Sequence, residues 1–184
     1  MGNSVDNVAV GKPKVTGSVF SAPKGTALPT DATTALDEAY KCLGYSSDSG
    51  LVNSNSPSST NIKAWGGDVV AVISSEKPDT FKHTLIEAQN VEALKLVYGA
   101  DNVTGDLDTG ITIKANNNVH DENVLVYEII QNGVAKRIVV PKGIVTAVGD
   151  ITYSDSGVIG YETTISALPD SAGNTHYEYI KNTS

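Results

Sequence analysis

Several shortages narrow what this 184-residue chain can do. It has one cysteine, Cys42, so no internal disulfide forms and no thiolate cage for a metal can be built. A lone cysteine of this kind reads as a small apolar side chain on a predicted helix. No apolar run approaches the roughly 20 residues of a membrane span, and no charged head precedes an apolar stretch at the N-terminus. The expectation is a chain that folds in the cytoplasm of whatever makes it, with no membrane insertion of its own. Positive charge is also scarce: 13 Lys and Arg against 21 Asp and Glu give a net charge of −8, with a pI near 4.7. The basic residues are dispersed, which argues against a surface that grips nucleic acid by neutralising phosphates.

Reaction chemistry is equally thin. His83, His120 and His176 fall in a predicted strand, a loop and the C-terminal segment, without metal-ligand spacing or an oriented partner in the sequence. Asp106-Leu107-Asp108-Thr109-Gly110, with Asp101 nearby, partly matches a calcium loop. It lacks the third regularly spaced oxygen ligand and the closing bidentate glutamate, so it reads as a solvated acidic turn. No catalytic residue, cofactor or metal ligand is predicted.

What the chain does have is a central unit from Trp65 to Asn102. Trp65-Gly66-Gly67 leads into an alternating run from Asp68 to Ser74, a turn at Lys77-Pro78-Asp79, a second run from Thr80 to Ala88, and a short helix from Asn90 to Tyr98. Asn90 caps that helix, Glu92 complements its positive end, and Gly99 stops it. Trp65 reads as an anchor for a core or an interface, given its large apolar area. Before this unit, residues 1–30 form an arm broken by Pro13, Pro23 and Pro29, expected to lie on something else. Residues 33–43 show Ala35, Leu36, Ala39, Tyr40 and Leu43 at helical spacing, closed by Gly44, which predicts a second helix, or a helical turn or two. Residues 45–61 turn to Ser, Asn, Gly and Pro and read as a long loop, of a length that is usually functional or disordered.

Further along, residues 110–114 read as a strand. Val124 to Gln131 and Val134 to Val140 flank Asn132-Gly133, the pair preferred in a two-residue type I′ turn, and predict a hairpin. Runs at 144–153 and 158–168 add strands, and 175–180 an edge strand. With seven or eight strands and two short helices, the fold class is mainly β: two packed antiparallel sheets, or a bent barrel-like sandwich, with a short helix on the flank. The chain length suits one domain over 1–184.

A resemblance rests on an ordered series of segments. These are Val15-Thr16-Gly17-Ser18-Val19-Phe20-Ser21-Ala22-Pro23, Gly25-Thr26-Ala27-Leu28-Pro29-Thr30-Asp31-Ala32, Leu43-Gly44-Tyr45, Gly50-Leu51, Ile62-Lys63-Ala64-Trp65-Gly66-Gly67, Leu85-Ile86-Glu87 and Tyr98-Gly99. Together they resemble the major tail proteins, or tail tube proteins, of long non-contractile-tailed bacteriophages. Asp48-Ser49-Gly50 stands where relatives often carry Glu-Asp-Gly. The resemblance implies a virion protein whose homohexameric rings stack into a hollow tube, each subunit lending a sheet to an inner β-barrel. Its implied partners are copies of itself, tail tip and tail terminator proteins, a tape measure protein in the lumen before ejection, and DNA in non-specific passage. The arm and the 45–61 loop hold too little apolar content to fix themselves, so they are expected to order against adjacent subunits or rings. Val8, Val10, Val15, Phe20, Tyr45, Asp48, Leu51 and Trp65 are the predicted contacts, and the strands around Pro78 are expected in the inner sheet. Other readings are a tube subunit of a tailocin or type VI-like secretion machine, and a monomeric β-sandwich binding module that would use Trp65 as a stacking platform.

Overall fold

The hairpin around Asn132-Gly133 is the middle of the molecule. In the computed structural model, which describes residues 3–5 and 8–183 except the side chains of residues 74–76, Asn132 (φ 51°) and Gly133 (φ 87°) make the expected tight turn. The strands in chain order are β1 (Gly11–Pro13), β2 (Val19–Pro23), β3 (Lys41–Cys42), β4 (Val52–Asn55), β5 (Ser58–Lys63), β6 (Val69–Glu76) and β7 (Asp79–Leu85). After helix α1 (Val91–Tyr98) come β8 (Val103–Thr104), β9 (Thr112–Ile113), β10 (Asn123–Gln131), β11 (Val134–Val148), β12 (Tyr161–Ala167) and β13 (Tyr177–Asn182). The main sheet runs β3-β2-β10-β11-β12-β7-β4, with β1 added to β10 and β13 to β11. All its pairings are antiparallel, and β5-β6 and β8-β9 form two small separate sheets. The mainly β architecture with one flanking helix is as the sequence predicts.

β10 and β11 are buried on both faces, which is why their sequences are runs of apolar residues with little alternation. On one face Leu125, Tyr127, Ile138 and Val140 meet Phe81, Leu85, Tyr161 and Ile165, and α1 closes this core with Ala93, Leu94, Leu96 and Val97. On the other face Val124, Val126 and Val139 pack with Ala22 and Tyr40. The helix is capped as expected: Asn90 Oδ1 accepts from the Glu92 and Ala93 amides, and Gly99 N–H returns to the Lys95 carbonyl.

Several sequence expectations are corrected. Residues 33–43 form turns and β3 rather than a helix, because Arg137 claims local carbonyls and Lys41-Cys42 pairs with Phe20-Ser21. The Asp31 carboxylate accepts from the amides of Thr33 and Thr34, and Arg137 takes the Asp31 and Thr34 carbonyls. The arm is part of the protein's own sheet from Gly11 onward, as β1 and β2, each ending at a proline. The 45–61 loop contains β4 and the start of β5. Finally, Lys77-Pro78 is no hairpin turn: β6 pairs with β5 and β7 with β4, in one long ribbon. The reversal sits at Gly66-Gly67 (φ 119° and 100°), a backbone that Lys77-Pro78-Asp79 cannot supply.

β11 is a single 15-residue strand where the sequence predicts two. Residues 134–139 pair with β13, and residues from Gly143 onward pair with β12. Pro141 falls between the two partners, beside a register shift against β10, so no neighbour requires its missing N–H.

Candidate assembly surface

The ribbon from β4 to β7 has two unlike halves. Its inner half, β4 and β7, belongs to the main sheet, with Phe81, His83 and Leu85 buried. Its outer half, β5 and β6, pairs only with itself, and every residue of β5 is exposed. The register places Ile62 opposite Ala71 and Thr60 opposite Ile73 on one face, and Asn61 opposite Val72 on the other. Ile62, Val69, Val70, Val72 and Ile73 are each at least 42% exposed. At the tip, Ala64 and Asp68 close the turn, and the Trp65 side chain stands fully in solvent. Trp65 therefore contributes nothing to the core of the isolated chain. A two-stranded ribbon with this much uncovered apolar surface is marginal in water and marks an interaction surface.

The other predicted contacts divide. Val8, Val10, Val15, Tyr45 and Asp48 are exposed. Phe20 and Leu51 are partly buried against the protein's own clusters, Phe20 at the one holding Ala22 and Val126 and Leu51 at the main core. Besides its pairing as β1 and β2, side chains fasten the arm. Asn132 Nδ2 donates to the Val8 carbonyl at 2.8 Å, and Lys14 pairs with the buried Glu128. Tyr45 is set by the Glu87 carboxylate, which accepts from its amide at 2.9 Å. The apolar residues of β5 and β6 were not singled out from the sequence. Their signal was there: an uninterrupted apolar run, residues 69–73, facing a polar partner strand.

The ionisable groups inside the body are structural. Burial pushes the His83 imidazole down to about 4, so it stays neutral, with Nε2 3.2 Å from Thr163 Oγ1. Burial likewise pushes the Tyr127 phenol up. His176 Nδ1 lies 2.6 Å from Asp79 Oδ2, and Thr175 Oγ1 donates to the same oxygen. In the acidic turn, Asp106 Oδ1 is occupied by the amides of Asp108 and Thr109 and by the Thr109 hydroxyl. Among the described residues no three His, Cys, Asp or Glu side chains converge as a metal site, and no helix is long and apolar enough to cross a membrane.

The family model described as Phage tail tube protein matches residues 1–184. The chain belongs to that family. Comparison with curated proteins gives no match. As a tail tube protein it is a structural component of the virion tail that self-assembles into the tube, and it is not an enzyme.

Proposed function

We propose that six copies close into a ring, that the rings stack into the tube of a long non-contractile tail, and that DNA passes down the bore during infection. The observation that carries this reading is the β5–β6 hairpin, which has apolar side chains and no covering element of its own among the described residues. Its Ile62, Ala71 and Ile73 face docks on a neighbouring copy, and the face bearing Asn61 and Val72 turns toward the bore. The sheet edges support the same arrangement. Among the described residues β4 has only β7 beside it and β13 only β11, so each leaves an open edge. Val8, Val10, Val15, Tyr45, Asp48 and Trp65 serve as contacts between subunits or rings, with Phe20 and Leu51 supporting them from beneath.

In this reading residues 1–184 act as one tail tube unit. A tape measure protein fills the bore before ejection, and tail tip and terminator proteins meet the two ends. A net charge of −8 on every copy lets the bore repel phosphates and keeps DNA moving. Negative-stain imaging of the purified protein at rising concentration tests the reading. Six-fold rings or tubes about 100 Å across are expected, the scale of six such domains round a channel. Monodisperse monomers at high concentration, or rings of another symmetry, overturn it.

A further inference from the structure

A cavity of about 460 Å³ opens at the foot of the ribbon, between β1, the 46–51 segment and the facing side chains of β7 and β10. Its walls are fastened to the sheet. β1 pairs with residues 129–131 of β10, and the Ser47 amide donates to the Thr84 carbonyl at 2.8 Å, next to a bridge between Ser46 and Leu85. Val19, Leu51 and Ile129 supply apolar lining, and the rings of His83 and Tyr127 meet edge-on at 5.6 Å. The size suits one large side chain.

Three side chains of this lining carry a buried polar atom with no hydrogen-bond partner among the described residues: Ser46 Oγ, His83 Nδ1 and the Tyr127 hydroxyl. His83 and Tyr127 are themselves only 2% and 1% exposed. The role of Nδ1 follows from the other side of its ring. Thr163 Oγ1 has one proton and donates it to the His83 carbonyl at 3.4 Å, which assigns the 3.2 Å contact with Nε2 to an N–H donor on the ring. Nδ1 of the neutral imidazole is then a bare acceptor. Buried groups left unpaired cost stability, so a guest that brings a donor improves this site.

The matching guest is a large apolar side chain with a single N–H, and the chain carries one such group at the far end of the same ribbon. Trp65 is fully exposed at the tip, and the six residues of β5 carry it about 20 Å out along the ribbon. We propose that the cavity between β1 and the 46–51 segment receives Trp65 of a second copy, its indole against Val19, Leu51 and Ile129 and its N–H donated to an acceptor of the lining, Ser46 Oγ or His83 Nδ1. Residues 48–50 form the exposed side of the cavity and give way as the ring enters. Every copy then offers an indole at one end of its ribbon and a cavity at the other. Such a contact is head-to-tail and leaves both ends open for further copies, as growth of a tube requires. The inference rests on the assembly role proposed above and names the site that the hairpin tip occupies.

The test uses the full chain in a Cys42→Ala background, with all replacements at exposed positions. One batch carries Ala64→Cys beside an intact Trp65, a second, isotopically heavy batch carries Asp48→Cys on the rim of the cavity, and a third, also heavy, carries Asp155→Cys in the loop between β11 and β12. The first is mixed with the second or the third, treated with a short bismaleimide and resolved by mass spectrometry, while the same samples are imaged for tubes. Light–heavy dimers joining residues 64 and 48 are expected at about ten times the yield of those joining 64 and 155, and adding Trp65→Ala to the first batch should lower that yield about tenfold, as loss of a central aromatic anchor implies. A yield no higher than that of the 155 pair, or one that Trp65→Ala leaves unchanged, overturns the proposal whether or not tubes form. The expected cross-links without tubes would keep the docking site and count against the assembly reading instead.

Discussion

Glu128 and Arg137 are directly opposed on β10 and β11, at 4% and 1% exposure, and their ion pair holds more than those two strands. Arg137 Nη1 and Nη2 donate at 2.8 Å to the carbonyls of Asp31 and Thr34, fastening the residues that were expected to be helical. Glu128 also accepts from Lys14 and so fastens the arm between β1 and β2. A single buried pair thus organises two N-terminal segments on one face of the sheet.

Arg137→Met leaves the Glu128 carboxylate buried with one partner fewer and two carbonyls unsatisfied. Urea unfolding should show a loss of about 3 kcal/mol or more. The double variant Arg137→Met, Glu128→Leu removes the stranded charge, so it should recover part of that loss while remaining below the native protein.

Gly143 lies where β11 passes from β13 to β12, and no side chain fits there. A Cβ would sit 2.5 Å from Leu125 Cδ1 and 2.9 Å from Ile165 Cγ2, both on fully buried side chains, so the neighbours must shift. Gly143→Ala should cost about 1–3 kcal/mol by overpacking, visible as a lower thermal midpoint with the fold retained.

His83 makes stability depend on pH above the carboxylate range. Its folded value of about 4 lies below the 6.5 of an unperturbed imidazole, so below 6.5 the unfolded chain takes up the proton first. The contribution is full above pH 6.5 and falls away toward pH 4, by about 3 kcal/mol over that window. His83→Gln should remove this part of the slope when urea unfolding is compared at pH 7, 5.5 and 4.

Asp79 acts lower on the scale. Burial alone would raise its carboxyl, but hydrogen bonds from Thr175, Asn53 and His176, with the His176 charge, outweigh burial and hold it below the ordinary range. Its stabilisation is present above the unfolded value of about 3.9 and is lost as pH falls below that. Asp79→Asn should therefore lower stability at pH 7 and flatten the acid limb below pH 4.

Trp65 is the only tryptophan and stands fully in solvent in the isolated chain. Trp65→Ala should leave monomer stability within about 0.5 kcal/mol of native while reducing polymerisation. In the native protein the same indole reports docking: its emission should shift to the blue as rings or tubes form. An unshifted spectrum in assembled material would remove Trp65 from the contact set.

Much of the body was legible because local rules and tertiary structure agree there. Asn132-Gly133 encodes its turn, Asn90 and Gly99 bracket the helix, and the alternation from Thr80 onward survives as β7 with Phe81, His83 and Leu85 buried. Local rules failed where a distant group took over. The helical spacing of Leu36, Ala39 and Tyr40 is real, but Arg137, about a hundred residues further on, claims the carbonyls a helix would use. Pro141 looks like the end of a strand until the sheet shows β11 exchanging one neighbour for another there. Of the candidate surface, Trp65, Tyr45 and the arm valines were readable as apolar residues without a local core, whereas the ribbon that carries Trp65 outward was not.

By itself the sequence determined the class of protein: one cysteine, an acidic balance and strand-length apolar runs leave a mainly β chain without reaction chemistry, and its ordered motifs carry the tail tube resemblance. Only the tertiary structure decided which strands are neighbours, and therefore which apolar side chains fill the body and which remain uncovered. The reason is that a strand's pattern states which faces are apolar but not what will meet them. Residues 69–73 would read the same inside a sandwich as on the projecting arm where they stand.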